Sequence, residues 1–228
     1  MSTIERQKAP PLEAGQRLDR ATFHARYEAM PPETRAELIG GVVYMPSPLT
    51  IRHGDFDCLV STWLTLYRRA TPGVHASSNA TVQLDGQGEP QPDSLLRIRP
   101  ERGGQSRTEG GYIAGAPELV AEVAVTSRKI DLGPKFEDYQ RAGVLEYVVI
   151  AIDPREIHWF IRREHRLEPL SPGTDGVFRS EIFPGLWLNP AALFTDDVDL
   201  LIATLDQGLA TPEHADFVAR LAARGGET

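Results

Sequence analysis

The sequence predicts an α/β fold, with a central mixed sheet flanked by helices and a helical appendage at the C-terminus. Three observations carry that expectation. Between Ile51 and Ala70 the apolar residues Phe56, Leu59, Val60, Trp63, Leu64 and Tyr67 recur at three-and-four spacing, the signature of an amphipathic helix. Glu118 to Val125 is an apolar run interrupted by a single carboxylate at Glu122, as expected of a central strand covered on both faces. From Asp131 onward, a helical pattern is followed by two further strand patterns.

The remaining elements follow in chain order. Residues 1–17 contain Pro10-Pro11 and no clean periodicity, so they read as an exposed, flexible tail. A short helix is expected over Ala21–Met30, ended by Pro31-Pro32. Glu37–Met45 reads as a strand entered through a turn and closed by Pro46 and Pro48. After the helix Ile51–Ala70, whose inward stripe His53 extends at its start, strands at Ala80–Leu84 and Ser94–Ile98 are expected to pair as a hairpin. The turn between them ends in Gln91-Pro92-Asp93. Arg99–Gly111, rich in Arg and Gly, reads as a mobile loop.

Asp131–Ala142 is expected to be a helix, with Pro134 in its first turn, Gly143 at its stop and Leu132, Phe136 and Tyr139 on its apolar side. Strands at Glu146–Ile152 and Glu156–Ile161 flank the Asp153-Pro154-Arg155 turn, and more β-structure runs through Val177–Leu188. From Asp197 the pattern gives two short helices split at Thr211-Pro212, with Thr211 as a cap. The expected organisation is a tail (1–17), one main domain (18–195) and a C-terminal helical extension (196–228).

Composition narrows the function classes. With 41% hydrophobic and 25% charged residues in 228, a disordered chain is excluded. No stretch approaches the roughly 18 uninterrupted apolar residues of a spanning helix, and the first residues lack a signal peptide's apolar centre. No membrane partner is expected, and the expected location is the cytoplasm. The lone Cys58 can form neither an internal disulfide nor a thiolate zinc site. A formal charge of −8, from 24 basic and 32 acidic residues, argues against broad adhesion to nucleic acid while leaving room for a local basic groove.

Chemistry concentrates at three positions. Glu122, inside a buried strand, needs a partner, because burying a charge alone costs several kcal/mol. Asp93 stands at the start of the preceding strand behind Pro92, which cannot donate a ladder hydrogen bond. Two carboxylates on adjacent strands facing one way make a hard-cation site suited to Mg²⁺ or Mn²⁺. Lys135, one of only three lysines, could return an ammonium to that end of the strand from the following helix. The plainer readings are an arginine partner for Glu122, a turn role for Asp93 and a solvated Lys135 beside Asp131. Gly86-Gln87-Gly88 lacks the third glycine of a dinucleotide loop, and no glycine-rich run carries a Walker lysine. A glycosidase pair fits poorly with 7% aromatic residues. Arg162-Arg163-x-x-Arg166 and Arg97-x-Arg99-x-x-Arg102 are candidate phosphate contacts.

Pro92-Asp93, Glu122 and a downstream lysine together resemble the active site of the PD-(D/E)xK nuclease superfamily. Within it, the chain resembles the Uma-two family of restriction-endonuclease-like proteins from about Glu37 to Phe194. The resemblance is carried by Glu37-Leu38-Ile39-x-Gly41, His53, Gln91-Pro92-Asp93, Gly115-Ala116-Pro117-Glu118-Leu119-Val120-x-Glu122-Val123, Asp131-x-x-x-Lys135-x-x-x-Tyr139, Ala142-Gly143-Val144-x-Glu146-Tyr147 and Pro184-Gly185-Leu186. The superfamily's usual lysine, two residues after the glutamate, is Ala124 here, and the resemblance implies that Lys135 replaces it from the helix.

It further implies a restriction-endonuclease-like core in which Asp93 and Glu122 hold Mg²⁺ or Mn²⁺, with the Val123 carbonyl as a further ligand. Lys135 would orient or help deprotonate the attacking water, Glu37 would add a carboxylate, and His53 and Gln91 would contact substrate or orient ligands. The function so implied is a Mg²⁺-dependent endonuclease acting on DNA. A catalytically silent binding or regulatory module of the same fold is the alternative, favoured by the acidic balance. Cutting two strands requires two sites, so a homodimer packed through Asp197–Arg224 is compatible with the reading.

Overall fold

A computed structural model describes residues 10–84, 86 and 88–225. Its first half contains helix α1 (Arg20–Glu28), strands β1 (Glu37–Ile39) and β2 (Val42–Tyr44), helix α2 (Ile51–Ala70), and strands β3 (Val74–Ser78), β4 (Val82–Gln83) and β5 (Ser94–Ile98). A 3-10 turn (Pro100–Arg102) precedes β6 (Arg107–Glu109), β7 (Tyr112–Ala114) and β8 (Leu119–Ala124). Next come α3 (Arg128–Ile130), a π turn (Asp131–Lys135), α4 (Phe136–Ala142), β9 (Glu146–Ala151), β10 (Glu156–Arg163) and β11 (Arg166–Pro169). The hairpin strands β12 (Phe178–Arg179) and β13 (Trp187–Leu188) lead to α5 (Pro190–Phe194), α6 (Val198–Leu209) and α7 (Pro212–Arg224).

The predicted mixed sheet is six-stranded, in the order β11-β10-β9-β8-β5-β3. β8 and β9 run parallel at its centre, and every residue of both is buried. Strand alternation sends Ala121 and Val123 to one face, where they pack with Trp63, Leu64 and Tyr67 of α2 and with Leu201, Leu205, Phe217 and Leu221 of the last two helices. The predicted C-terminal helical extension is therefore present and shares the main core. Thr211 caps α7 as expected, its hydroxyl accepting from the His214 N–H. Val120 and Ala124 point to the other face, against Tyr139, Tyr147 and Val149. Glu122 shares that parity.

Several expectations are corrected. Ala80–Leu84 and Ser94–Ile98 do not form a hairpin: β5 pairs antiparallel with β3 and β8, whereas β4 runs parallel to β7 in a separate three-stranded sheet. Asn79 turns the chain out of β3 with φ +51, and Pro90 and Pro92 have no N–H to give a ladder. Arg99–Gly111 is not an irregular loop, since it holds the 3-10 turn and β6. Arg102 donates to the carbonyls of Leu221 and Ala222 at 3.0 and 2.9 Å, and β6 and β7 meet across Gly110-Gly111.

Glu37–Met45 is a two-strand hairpin, because Gly40 and Gly41, at φ +58 and +74, take the left-handed conformations that a tight hairpin turn requires. Residues 10–17 are mostly exposed, as expected of the tail, but they are tied to the fold at two points. Leu12 is buried with Phe23, Ala36, Leu38 and Val43, and Gly15 N and Val43 N exchange bonds with Val43 O and Gln16 O, both at 2.8 Å. Residues 1–9 of that tail lie outside the described residues.

Candidate active site

Each carboxylate reaches the site for a local reason. The β5–β8 ladder runs out where Ser94 pairs with Ala121, and Asp93, just before it, continues it with its side chain: Oδ2 accepts from Val123 N at 2.7 Å. Glu37 opens β1, which bridges to the Pro-rich segment through Leu38 and Glu89, and its Oε1 accepts from Gln91 N at 2.7 Å. Glu122, 3% exposed, projects from β8 towards α4.

Lys135 arrives from a wide turn. The helix begins at Arg128, three residues before its predicted start. It passes through a π turn kinked at Gly133 (φ −118, ψ −106) and ahead of Pro134. That turn buries both Asp131 and Lys135. Lys135 Nζ lies 3.0 Å from Glu122 Oε1, 3.0 Å from Glu37 Oε1 and 3.9 Å from Asp131 Oδ1. Tyr139 Oη donates to the same Glu122 oxygen at 2.9 Å.

The six sequence-predicted residues do not all arrive in the same way. Glu37, Asp93, Glu122 and Lys135 line one cleft of about 290 Å³. His53 joins them, its Nε2 3.5 Å from Asp93 Oδ2, held at the start of α2 by the Thr50 cap on its N–H. Gln91 lines the cleft but sends its amide to Tyr27 Oη (2.7 Å) and Thr81 Oγ1 (3.2 Å), so its backbone N–H, rather than its side chain, meets a carboxylate. Asp131 and Tyr139 were absent from the predicted set. Their spacing, four residues either side of Lys135, was the available signal. Of the six candidate phosphate arginines, Arg166 is exposed and the other five are engaged elsewhere: Arg162 bonds Gln140 O (2.7 Å), Arg163 pairs with Glu181 (2.6 Å), Arg97 donates to Thr108 (3.3 Å), Arg99 lies 3.8 Å from Glu101 and Arg102 bonds Leu221 O (3.0 Å). Arg35 lines the cleft instead.

The electrostatics follow from four acids around one ammonium. Burial raises the Glu122 pKa well above the ordinary value; Lys135 opposes this, while Asp93, Asp131 and Glu37 reinforce it. Burial likewise raises Asp131 to about 6. Burial alone would lower the pKa of Lys135, but Glu122, Glu37 and Asp131 outweigh it and hold the ammonium above its ordinary value. His53 is raised by its bond to Asp93, against desolvation.

Among the described residues, no three His, Cys, Asp or Glu side chains are grouped to hold a metal by themselves. Asp93 Oδ1 and Glu122 Oε2 nevertheless accept no hydrogen bond among those residues, and Asp131 Oδ2 is buried without a partner. Two free carboxylate oxygens in an acid-rich cleft fit Mg²⁺, which is held through one or two carboxylates while keeping water and phosphate ligands.

A family model, Uma2, described as "Putative restriction endonuclease", matches residues 21–191. The chain belongs to the Uma2 family. Its fold is also that of the crystal structure of a "putative nuclease belonging to DUF820" from Anabaena variabilis ATCC 29413, with a TM-score of 0.58 and 15% identity over 75% of this chain and 96% of that one. At that identity the likeness is one of fold. No curated protein matches the chain. The family resemblance read from the sequence thus holds, and the matched residues 21–191 span the positions of Glu37, His53, Gln91, Asp93, Glu122 and Lys135. No helix among the described residues is long and apolar enough to cross a membrane.

Proposed function

We propose that the protein is a Mg²⁺-dependent endonuclease, also active with Mn²⁺, that hydrolyses phosphodiester bonds in DNA. The carrying observation is the 3.0 Å contact between Lys135 and Glu122 in a cleft shared with Asp93, in a chain of this family. Asp93 and Glu122 would hold the ion, with the Val123 carbonyl as a further oxygen. When bound, a divalent ion supplies Lewis acidity at the phosphate and lowers the pKa of the attacking water.

The chain's own groups do the rest. Lys135, kept charged by three carboxylates, stabilises negative charge growing on the scissile phosphate. That locked charge makes Lys135 a poor proton acceptor. Asp131, with a free oxygen and a pKa raised to about 6 by burial, is the better acceptor for the water's proton. Tyr139 and Glu37 fix the Glu122 and Lys135 side chains. The backbone N–H of Val123 orients Asp93.

Incubating supercoiled plasmid and single-stranded DNA with Mg²⁺ or Mn²⁺, beside EDTA controls and Asp93→Asn, tests the reading. Metal-dependent nicking lost in the variant supports it; cleavage that is indifferent to EDTA sinks it. The second reading, a silent nuclease-fold binding module, draws on the −8 charge and on the arginines tied up within the chain. DNA binding without turnover under any ion would favour it.

A further inference from the structure

Four large apolar side chains stand exposed among the described residues, and three of them, Met45, Leu49 and Ile51, fall within seven consecutive positions. Ile51 is 85% exposed and Leu49 56%, values that cost free energy in water unless something covers them. This strap, Met45-Pro46-Ser47-Pro48-Leu49-Thr50-Ile51, contains no charged residue. Its residues from Met45 to Thr50 line the same cleft as Asp93, Glu122 and Lys135.

The strap is built stiffly. Pro46 and Pro48 fix two of its φ angles, β2 anchors its start, and Thr50 ends it as the cap of the 20-residue helix α2, accepting from His53 N at 3.3 Å. Two sources of positive potential adjoin it: the N-terminus of α2 with Arg52, which is exposed and donates to Ile152 O at 3.3 Å, and the cleft-lining Arg35. An apolar ledge beside an anion-attracting edge matches a nucleotide, which presents a flat apolar base next to its phosphate. A base inside a duplex is stacked on both faces and has no face to offer; an unpaired base has. Seven residues fall far short of the roughly 1,200–2,000 Å² that a stable contact between copies buries.

Resting on the nuclease reading above, we propose that the Met45–Ile51 strap is a nucleobase-binding lip. In it, Leu49 and Ile51 cover an unpaired base of the strand whose phosphate enters the acidic cleft. The substrate class this assigns is single-stranded, frayed or distorted nucleic acid rather than regular duplex.

The test is a binding titration of the full chain in Ca²⁺, using a short single-stranded oligonucleotide that carries a fluorescent purine analogue, and the matching blunt duplex. Wild type is expected to favour the single strand by about tenfold and to change the analogue's emission. The Leu49→Ser/Ile51→Ser variant, altered only at exposed positions and checked for an unchanged melting temperature, should lose about tenfold in single-strand affinity together with the emission change. Unchanged single-strand affinity in the variant, or a wild-type preference for duplex, overturns the lip; plasmid cleavage in the same preparation would leave the nuclease reading standing. A shift in oligomeric state by light scattering in the variant assigns the strap to a contact between copies and also overturns it. If wild type neither binds nor cuts any DNA, the nuclease reading fails and the lip with it.

Discussion

Lys135 Nζ meets Glu122 Oε1 at 3.0 Å although one sits on a kinked helical turn and the other in the centre of the sheet. The contact gives Glu122 the partner that its burial demands and places a fixed positive charge where the strand position two residues on, Ala124, has none.

Lys135→Met should therefore lower DNA cleavage by about a hundredfold or more, the scale on which one electrostatic transition-state contact acts. The variant should also melt at a lower temperature, since four acids would share the cleft without the ammonium. Single-turnover nicking assays read the first effect and thermal unfolding the second. An unchanged rate would remove the proposed role of Lys135.

Asp131→Asn tests the proton acceptor. Burial raises the Asp131 pKa to about 6 and a bound divalent ion pulls it back down, so wild-type activity should show an acidic limb at or below about pH 6, rising as the carboxyl ionises. The variant should be slower throughout and should lack that limb. The check is a pH–rate profile of both proteins at saturating Mg²⁺, and an acidic limb persisting in the variant assigns it to another group.

Asp93→Asn should abolish site-specific Mn²⁺ heat in calorimetry while retaining the fold, because the amide oxygen can still accept from Val123 N. Equal heats in both proteins would place the ion elsewhere.

Glu146 gives a prediction away from the cleft. It is fully buried in β9, accepting from Ser180 Oγ at 2.6 Å and from the N–H groups of Glu181 and Ile182 at 2.8 and 3.2 Å. Burial raises its pKa from 4.5 to about 7 against those bonds. Between the two values the folded state keeps a proton that the unfolded chain releases. Its contribution is fullest below about pH 4.5 and is lost as pH rises through about 7, by up to about 3 kcal/mol. Glu146→Gln keeps the acceptor and removes the titration, so its urea midpoint should change less than wild type's between about pH 5 and about pH 8. An identical slope in both proteins would contradict this.

Local, repeated signals in the chain were enough to specify the amphipathic stripe of α2, the twice-covered β8, the Gly143 stop and the Thr211 cap. The sequence also showed that Glu122 required a partner, because the desolvation of a carboxylate in an apolar run needs no knowledge of the fold. Strand pairing was set by the folded arrangement, since β5 meets β3 and β8 rather than the nearer β4 through bonds between distant segments. The same holds for the cage around Lys135. Glu37, Asp131 and Tyr139 reach Glu122 or its ammonium only because a hairpin, a π turn and a helix are packed on one face of the sheet. Chain spacing constrains neighbours along an element, whereas convergence across elements is set by packing.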